Sequence, residues 1–492
     1  VTAQVSKPLK ASGEAWLLGA IDAYKTPYRP NWINQLVGRA AAAVENGSVI
    51  ICAPDARDTA LLIEAFESAG IATIDYSSAQ TPAKRYSAFL KALVSDKQIL
   101  VGNRNSLLAP LSDLASIIIW NESDFSHTDQ GSPYLTSREI ALVRQSLQGG
   151  NVTFASFTLS TEIARLVSLG FLQLRDESKI RPKVVYEEQG PAAESLANKT
   201  IRAALAKGPV LVQVSAVGHS VSVYCKACSE KVLCRECAGP LWLDAGAKPI
   251  CRWCNALNYA ANCGNCGSRE LKQGRAGSTR SVAEFGKAFP GIRVLESTSA
   301  TRVETIPNKP ALVVATPGCE PIAENGYAAV VLLDARNQLS RDSLRSVEDA
   351  VSAWANAVSL LGEGGTAVLV GLGGKLAEQF VLWQQMAIAE QQLQERAELS
   401  LPPVVRLGSI TGQPEAAKRI AEVAAEAGAT VLGPTKVDAM NVQFIIKYAY
   451  KIGAELAMQL KVAQLKTGAG RNQRTQRNER LVRVKMDDRQ VI

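Results

Sequence analysis

The sequence predicts an α/β protein in which two doubly wound lobes are followed by a smaller α+β domain, and in which a cysteine-rich insertion interrupts the second lobe. Three observations predict this organisation. Short, apolar, β-branched runs alternate with helical patterns from residue 14 to residue 375, eight of the ten cysteines fall within 225–266, and the chain after residue 400 follows a β-α-β-β-α-β pattern. The length of 492 residues suits about three domains, and the hydrophobic content of 47% suits sizeable cores.

The first lobe is predicted over residues 14–180. Its candidate strands are short and continuously apolar, as strands buried on both faces of a parallel sheet are: 48–54, 72–76, 98–103, 116–120 and 152–157. Two helical patterns between them end at Gly47 and Gly70, and a glycine just after a helix is a common signal of its C-terminus.

The second lobe is predicted over residues 181–224 and 268–375. Its candidate strands share the same apolar composition and lie at 209–215, 292–297, 311–316, 328–334 and 366–371. The insertion, residues 225–267, begins after the first of these strands. A segment of this size is too small to fold on a hydrophobic core of its own, so we expect bound metal to hold it.

The remaining segments are assigned from their helical pattern and their punctuation. Residues 1–13 are expected to be an N-terminal remnant or linker, and residues 376–400 a helical linker that stops at Pro402-Pro403. Residues 401–492 are predicted to form a C-terminal domain, and its β-α-β-β-α-β order favours a ferredoxin-like α+β fold.

The eight clustered cysteines form four CxxC pairs with the spacing C-x2-C-x5-C-x2-C-x13-C-x2-C-x8-C-x2-C. A CxxC turn points two thiolates at one ion, and two such turns complete a tetrahedral zinc site with Zn–S distances of about 2.3 Å. Eight thiolates therefore predict two closed, structural zinc sites. A disulfide framework is typical of small secreted domains, and a thioredoxin-like pair follows a strand at a helix N-terminus, so neither pattern matches this one. The spacing alone leaves open which pairs share an ion.

The net charge of the chain bears on nucleic-acid binding, and its hydropathy predicts no membrane span. The net charge of +8 suits nucleic-acid binding, but it also suits ordinary solubility. No apolar run reaches the ~18 residues of a spanning helix, and the first twenty residues lack the pattern of a signal peptide. We therefore expect a soluble, cytoplasmic protein.

Two lobes with a double zinc insertion, together with "NCGNCGSREL", "LPPVVRLG" and "VLGP", resemble the bacterial primosomal replication-restart (PriA) family. The resemblance extends from about residue 14 to the end of the chain. It implies two RecA-like helicase lobes that bind ATP between them, recognition of abandoned replication forks, and assembly of the primosome. It also implies an N-terminal DNA-binding region, which we expect this chain to lack or to retain only as a remnant.

The resemblance assigns the metal ligands as well. In the family the outer cysteine pairs share one zinc and the inner pairs share the other. The implied ligands of the first zinc are therefore Cys225, Cys228, Cys263 and Cys266, and those of the second are Cys234, Cys237, Cys251 and Cys254.

The ATPase motifs that the family requires are degraded in lobe 1. Where a P-loop should precede the first helix, the chain reads "WLLGAIDAYKTPYRPNW", and only the dipeptide Lys25-Thr26 matches. The DEEH box is replaced by "WNESD", in which Asn121 stands for the magnesium-binding aspartate and loses its charge. Glu122 and Asp124 remain, and we expect them to be solvated loop acids.

Two further motifs are also altered. The SAT-like motif appears only as "FASFTLSTE", and the arginine-rich finger segment is replaced by residues 355–365, which contain no arginine. The glycines of "VGLGGKLAEQ" match neither a P-loop nor G-x-G-x-x-G and predict a tight strand-to-helix turn. The joint loss predicts a degenerate, actinobacterial-type member of the family, with no catalytic and no nucleotide-binding residues to assign.

Basic residues supply the candidate DNA contacts. The segment 466–480 is rich in Gly, Asn and Gln and carries Arg471, Arg474, Arg477 and Arg480; such a loop can follow phosphates, or it can be a solvated linker. The insertion places basic residues near Tyr224, Trp242, Trp253 and Tyr259, which can stack on unpaired bases or form the core of the module. Cys52 and Cys319 are expected to be buried bystanders, and His127 and His219 are given no catalytic role.

These observations predict a replication-restart protein that binds forked or single-stranded DNA and primosome partners, carries two structural zinc ions, and resides in the cytoplasm with the nucleoid. It is predicted to lack ATPase and helicase activity. Two alternatives stay open: an active ATP-dependent 3'-5' DNA helicase with an unorthodox nucleotide site, and a zinc-bearing protein–protein adaptor without DNA affinity.

Overall fold

The computed structural model describes most of the chain. The described residues are 13–20, 26–177, 181–188, 190–215, 223–228, 230–237, 239, 241–244, 248–251, 256–273, 277–341, 343–438, 440–469, 482–489 and 491. They divide into two compact units: one contains 32–179 and 384–492 with the N-terminal residues to Gly19, and the other contains 20–31 and 180–383. None of the helices within these ranges is both long and apolar enough to cross a bilayer.

Lobe 1 is built on a seven-stranded sheet in which every neighbouring pair is parallel. Its strands are β1 (Gly13–Leu17), β2 (Ser48–Cys52), β3 (Ile74–Tyr76), β4 (Ile99–Gly102), β5 (Leu114–Trp120), β6 (Asn151–Ser156) and β7 (Leu172–Asp176), in the order β3-β4-β2-β5-β6-β1-β7. All five residues of β2 are buried, which agrees with its apolar, β-branched sequence. The five predicted strands are confirmed, and two strands that were not predicted, β1 and β7, are added beyond β6.

Helices cover this sheet. They are α1 (Asn31–Ala43), α2 (Ala56–Ser68), α3 (Pro82–Val94), α4 (Ser137–Gln148) and α5 (Thr161–Ser168). Four of them, α2 to α5, begin after a capping side chain: for example, Asp55 accepts a hydrogen bond from the Asp58 amide at 2.8 Å, and Thr136 forms a capping box with Glu139. The Asp55 cap lies three residues after β2, where the chain turns from the carboxyl end of that strand into α2.

Lobe 2 contains a six-stranded parallel sheet in the order β14-β16-β9-β18-β19-β8. Its strands are β8 (Val184–Glu187), β9 (Val210–Gln213), β14 (Val294–Ser297), β16 (Leu312–Ala315), β18 (Tyr327–Leu332) and β19 (Leu361–Val370). Its helices are α6 (Pro191–Leu205), α7 (Gly277–Ala288), α8 (Ala335–Leu339), α9 (Ser346–Val358) and α10 (Gly374–Val381). A short parallel pair, β15 (Thr305–Ile306) and β17 (Ile322–Ala323), forms a separate two-stranded sheet.

The cysteine-rich insertion contains two small antiparallel pairs of strands. One pair joins β10 (Val223–Cys225) to β13 (Leu271–Gln273), and the other joins β11 (Leu241–Leu243) to β12 (Pro249–Cys251). Its described core is small, and half of its eight buried side chains are cysteines; the others are aliphatic, among them Val223, Val232 and Leu241. So little apolar volume agrees with the expectation that bound metal holds this module.

The C-terminal domain has the predicted β-α-β-β-α-β order. It contains β20 (Arg406–Gly412), α12 (Pro414–Glu426), β21 (Thr430–Lys436), β22 (Val442–Tyr448), α13 (Gly453–Ala469) and β23 (Arg483–Lys485). The antiparallel sheet order β21-β22-β20-β23 is that of a ferredoxin-like domain. Ile410, Ile446, Ile420 and Leu460 join the sheet and both helices in one core.

The helical stretch expected over 376–399 is two helices, α10 and α11 (Gln385–Glu398), separated by a break. Trp383 adopts a φ of 55° at the break, which is costly for a bulky residue. Its indole is 4% exposed and lies 5.6 Å from the Phe380 ring, which in turn meets Trp354. Burial of this aromatic group compensates for the interrupted helix.

Candidate functional site

Four CxxC turns of the insertion share one backbone feature. In each turn the amide of the first cysteine donates a hydrogen bond to the carbonyl five residues later, at 2.7–3.0 Å. The four donors are Cys225, Cys234, Cys251 and Cys263. At Cys225, Cys234 and Cys263 a following backbone amide also donates to the sulfur, which is the geometry of a zinc knuckle.

The first cluster brings together Cys225, Cys228, Cys263 and Cys266, whose sulfurs all lie within 4.8 Å of one another. The shortest separations are 3.5 Å between Cys225 and Cys266 and 3.4 Å between Cys228 and Cys263. These distances are too long for a disulfide of about 2.05 Å. They are close to the roughly 3.8 Å that separates two sulfurs bound to one tetrahedral zinc ion at 2.3 Å.

Backbone amides favour the thiolate form in this cluster. The amide of Cys228 lowers the pKa of the Cys225 thiol to about 6, and the amide of Cys266 lowers the pKa of Cys263. At Cys266 the Ser268 amide lowers the pKa, but the neighbouring thiols Cys228 and Cys225 outweigh it, and the pKa of Cys266 is raised to about 12. Four thiolates so close together repel one another, and a divalent cation removes that repulsion.

The second cluster contains Cys234, Cys237 and Cys251, with sulfurs again within 4.8 Å and a separation of 3.4 Å between Cys237 and Cys251. The expected fourth ligand, Cys254, lies outside the described residues. Asn258 is buried beside this cluster, and its side-chain amide donates to the Cys234 sulfur at 3.4 Å and to the Ala256 carbonyl at 3.0 Å. Sequence reasoning missed Asn258, because a lone asparagine near a knuckle carries no spacing signal.

The donor set of both clusters consists of sulfur, which suits zinc in a tetrahedral site and gives hard cations no oxygen ligands. The structure brings the cysteines together in the two groups that the family resemblance implied, for the seven that it describes. Four thiolates would close the coordination sphere of the first cluster. Such a site can stabilise the fold of the module but has no open position at which to activate water.

The module is attached to lobe 2 by polar contacts. Tyr224 donates its hydroxyl hydrogen to the Asn337 side chain at 2.9 Å, and Lys231 donates to the Ser340 carbonyl at 3.3 Å. Tyr259 is 67% exposed, with the Lys248 ammonium 5.9 Å from its ring, so it presents a stacking surface to solvent. Trp253 lies outside the described residues, as do the candidate DNA ligands Arg471, Arg474, Arg477 and Arg480, which come between α13 and β23 in the sequence.

The first turn of α1 meets the carboxyl end of β5 through two tryptophans. The indoles of Trp32 and Trp120 stack with their ring centroids 4.3 Å apart and their planes 9° from parallel. Phe157, just after β6, packs edge-on to Trp120 at 5.4 Å. In a P-loop protein this place, the N-terminus of the first helix beside the strand ends, receives phosphates and magnesium. Here the rings of Trp32, Trp120 and Phe157 are buried between the start of α1 and the ends of β5 and β6; residues 21–25, where the P-loop was expected, lie outside the described residues.

The residues after β5 also differ from the expectation that they are solvated. Glu122 is 5% exposed and forms an ion pair with Arg138 of α4, which lies 3.9 Å from Glu162 as well. The prediction of a solvated Glu122 was therefore wrong, because a partner sixteen residues away neutralises the buried carboxylate. Asn121 has a φ of 52°, a left-handed conformation that asparagine tolerates better than most residues. Asp124 caps a short 3-10 turn by accepting from the Ser126 amide at 2.8 Å.

The remaining motif positions have structural partners. Ser160 caps α5 by accepting from the Ile163 amide at 3.2 Å, and Thr161 accepts from Arg396 at 2.6 Å. In lobe 2 the strand-to-helix turn between β19 and α10 is confirmed, with φ values of 87° at Gly371 and 73° at Gly374. Glycine is favoured at both positions, since other residues are strained there.

His127 is more closely partnered than its isolated sequence position suggested. Its Nδ1 atom lies 2.8 Å from the Ser137 hydroxyl and 3.9 Å from the Cys52 sulfur, and its Nε2 atom lies 2.8 Å from the Trp120 carbonyl. All three side chains are buried, and burial raises the pKa of the Cys52 thiol to about 12. The thiol therefore stays protonated, and the group reads as structural. Cys319 is also buried, and His219 lies outside the described residues.

Comparisons with known proteins identify relatives of both the C-terminal domain and the longer chain. The model of the "Primosomal protein N C-terminal domain" family matches residues 397–489. Proteins named "Probable replication restart protein PriA" from Mycobacterium bovis and Mycobacterium tuberculosis are 31% identical over 506 aligned residues, which cover 93% of this chain and 76% of theirs. The Mycobacterium leprae protein of the same name is 33% identical over 77% of this chain.

Solved structures share only a distant likeness with the chain. Saccharomyces cerevisiae Dbp5 bound to RNA and ADP BeF3 aligns with a TM-score of 0.40 at 9% identity, over 78% of this chain and 83% of Dbp5. RecG bound to a three-way DNA junction aligns with a TM-score of 0.39 at 9% identity, over 79% of this chain and 47% of RecG.

Proposed function

Because the chain belongs to the family of replication restart proteins PriA, we propose that it acts in replication restart by binding forked or single-stranded DNA without hydrolysing ATP. The replication-restart role follows from the family. DNA binding, the absence of a motor, and a cytoplasmic, nucleoid-associated location are the parts proposed here.

The stacking of Trp32 on Trp120 is the observation that carries the proposal. ATP hydrolysis needs backbone amides and a lysine around the phosphates, and carboxylates around magnesium. At the carboxyl ends of β5 and β6 this chain has packed aromatic rings, an asparagine in place of the acid, and a buried Glu122 whose charge Arg138 already neutralises. An arginine in contact with the remaining carboxylate competes directly with a metal ion for it.

Two structural zinc ions are the proposed cofactors, with Cys225, Cys228, Cys263 and Cys266 as one ligand set and Cys234, Cys237, Cys251 and Cys254 as the other. The close sulfur groups support this assignment for the seven described cysteines. Zinc would supply folding free energy to a module with few apolar side chains, because its ligands gather only in the folded state.

The DNA-binding part of the proposal depends on charge rather than on an enzymatic site. The net charge of +8 and the arginines of residues 471–480 favour contact with phosphates. The exposed ring of Tyr259 on the zinc module, with Lys248 beside it, offers a surface on which an unpaired base can stack. The primosome partners would dock on the same module, which the absence of a motor leaves free for that role.

The experiment that tests the proposal measures ATP turnover by the zinc-loaded full chain, with and without forked DNA, while fluorescence anisotropy reports fork binding in the same samples. We expect fork binding that weakens as salt rises, and no fork-stimulated turnover. Turnover that the fork stimulates would establish a helicase with an unorthodox nucleotide site. Fork binding no tighter than that of a neutral control, with no dependence on salt, would instead establish a protein–protein adaptor.

A further inference from the structure

Helix α13 of the C-terminal domain is apolar on two opposite faces. Leu456 and Leu460 are 0% and 1% exposed and pack into the core of the domain. Met458, Val462 and Leu465, which we call the α13 stripe, are 59%, 45% and 61% exposed. A helix advances about 100° per residue, so the stripe lies on the side of the helix directly opposite Leu456 and Leu460.

A second apolar face is unusual for a surface helix. The solvent-facing side of such a helix normally carries polar and charged residues, and a helix that is apolar all round is normally covered on both sides. The residues of the stripe are separated by four and then three positions, which is the spacing of a seam between two packed helices. The seam spans about 10 Å, or roughly two helical turns.

The charges beside the stripe are mainly positive. Lys461 lies on one side of the seam and Lys466 on the other, and both are exposed. Glu455 is held one turn before Met458 by a hydrogen bond from the Gln459 amide at 2.7 Å. Lys461 and Lys466 therefore place positive charge on both flanks of the C-terminal half of the seam.

We propose that the α13 stripe docks an acidic amphipathic α-helix of a partner protein. Its apolar side chains would pack on Met458, Val462 and Leu465, and its flanking carboxylates would face Lys461 and Lys466. This site lies outside the zinc module and the arginines of residues 471–480 that the proposed function uses, and it does not depend on DNA binding.

Two other occupants fit less well. A second copy of the chain in parallel pairing would bring Lys461 opposite Lys466, and three side chains bury far less than the ~800 Å² per partner of a stable dimer. A membrane surface favours a broad apolar face with tryptophan or phenylalanine, whereas the stripe is narrow and contains no aromatic residue.

The test uses two synthetic three-heptad peptides as probes. Both carry leucine at the seam positions; one carries glutamate at the flanking positions and the other carries lysine, and like charges keep each peptide monomeric. Fluorescence anisotropy with the full, zinc-loaded chain is expected to show binding of the acidic peptide, with the lysine peptide at least about tenfold weaker because two flanking contacts change from attraction to repulsion.

Three variants make the result specific. Met458→Gln with Leu465→Gln is expected to weaken binding of the acidic peptide at least about tenfold, since two buried apolar contacts are lost. Lys461→Glu with Lys466→Glu is expected to reverse the preference between the peptides. Leu147→Gln on α4 is the matched control, because Leu147 is 79% exposed and lies in lobe 1; it is expected to change neither affinity.

Several outcomes would overturn the docking proposal while leaving the DNA-binding proposal intact. These are no binding of either peptide, equal binding of both, or binding that the stripe variants do not weaken. Sedimentation equilibrium could show concentration-dependent dimerisation that Met458→Gln with Leu465→Gln abolishes. The occupant of the stripe would then be a second copy of the chain and not a partner helix. If the chain sediments with phosphatidylserine vesicles and the same variant abolishes this, the occupant of the stripe would be a membrane surface. Fork affinity is expected to be unchanged in the stripe variant, so the two proposals fail separately.

Discussion

Trp32 in the first turn of α1 stacks on Trp120 at the end of β5, with ring centroids 4.3 Å apart. Both indoles are more than nine-tenths buried, and the Trp120 nitrogen donates to the Asp58 carboxylate at 2.9 Å. The stack ties the helix that follows the P-loop position to the strand that precedes the DEEH position. Buried aromatic packing therefore joins the first turn of α1 to the carboxyl end of β5 in lobe 1.

Trp32→Ala tests whether this stack is structural. We expect it to lower the free energy of unfolding of lobe 1 by about 3–5 kcal/mol, as large-to-small core substitutions at tryptophan do. Urea unfolding followed by circular dichroism measures the loss, and Leu147→Ala at an exposed position is the control, with an expected change of under about 0.5 kcal/mol. Adding ATP should not alter the tryptophan fluorescence of the unmodified protein. A destabilisation no larger than that of the control would show that the stack contributes little.

Cys234→Ser tests the ligand assignment of the zinc module. We expect the bound zinc to fall from about two ions per chain to about one, because serine is a poor zinc ligand and the second cluster loses a member. Inductively coupled plasma mass spectrometry of dialysed protein measures the metal content, and Cys319→Ser, at a buried cysteine outside both clusters, should retain about two. Retention of two ions by Cys234→Ser would contradict the four-thiolate sites.

Asn258→Ala tests the residue that donates to Cys234. The amide hydrogen bond stabilises the thiolate and orients it, and loss of such a partner costs about 10–100-fold in metal affinity. Competition with a chromophoric chelator should therefore remove one zinc from the variant at a lower chelator concentration than from the unmodified protein. Asn262→Ala is the matched control, since the Asn262 side chain accepts from the Arg235 guanidinium instead. Identical chelator curves for Asn258→Ala and the control would remove Asn258 from the metal site.

One triple variant tests whether the basic segment 466–480 contacts DNA. It carries Arg471→Ala, Arg474→Ala and Arg477→Ala. If all three side chains contact phosphates, the slope of log affinity against log salt should become shallower by up to about 2 to 3, with weaker binding to every DNA sequence. The control is a second triple variant that removes the same charge from exposed positions of α3 in lobe 1. It carries Lys84→Ala, Arg85→Ala and Lys91→Ala. Equal slopes for the two triple variants would assign the effect to net charge rather than to the loop.

The fold class could be predicted because its signals are local. Apolar β-branched runs such as 48–54 locate buried strands, and the CxxC spacing locates the knuckles. The predicted fold class, two RecA-like lobes with a cysteine-rich insertion and a ferredoxin-like C-terminal domain, is confirmed. Strands β1 and β7 of lobe 1 escaped prediction because polar residues or glycine break their apolar pattern, as Gly13 and Glu14 do in β1. Gly13 is needed where β1 passes β6, since a Cβ atom there would lie 2.4 Å from the Val152 carbonyl.

The details of the candidate site depend on contacts between distant residues, which the sequence pattern does not encode. The ion pair between Glu122 and Arg138 joins a strand end to a helix, and the break at Trp383 follows from burial rather than from glycine or proline. The grouping of cysteines came from the family resemblance rather than from spacing. Asn258 and the Trp32–Trp120 stack likewise involve ordinary residues that become informative only once their neighbours are known.

His127 is a buried group whose protonation makes the stability of lobe 1 depend on pH. Its ring lies between the Trp120 carbonyl and the Ser137 hydroxyl, with Glu122, Asp124 and Arg489 as the charged groups around it. Burial lowers the pKa of His127 below its usual value of about 6.5, although the Trp120 carbonyl and the two acids oppose the shift. In the native protein the ring is therefore neutral at pH values where the unfolded chain is already protonated.

His127→Gln tests this coupling, because glutamine can donate to the Trp120 carbonyl and accept from Ser137 but does not titrate. In the unmodified protein the unfolded state binds the extra proton, so the free energy of unfolding should fall as pH decreases through about 6.5 and be fully retained above it. The variant should lack this component, and the stability difference between the two proteins should narrow between pH 8 and pH 5.5. Urea unfolding at a series of pH values, followed by the fluorescence of the adjacent Trp32–Trp120 pair, measures the difference and cancels the titration of the carboxylates common to both proteins. A difference that stays constant over this range would mean that the native His127 titrates as it does in the unfolded chain.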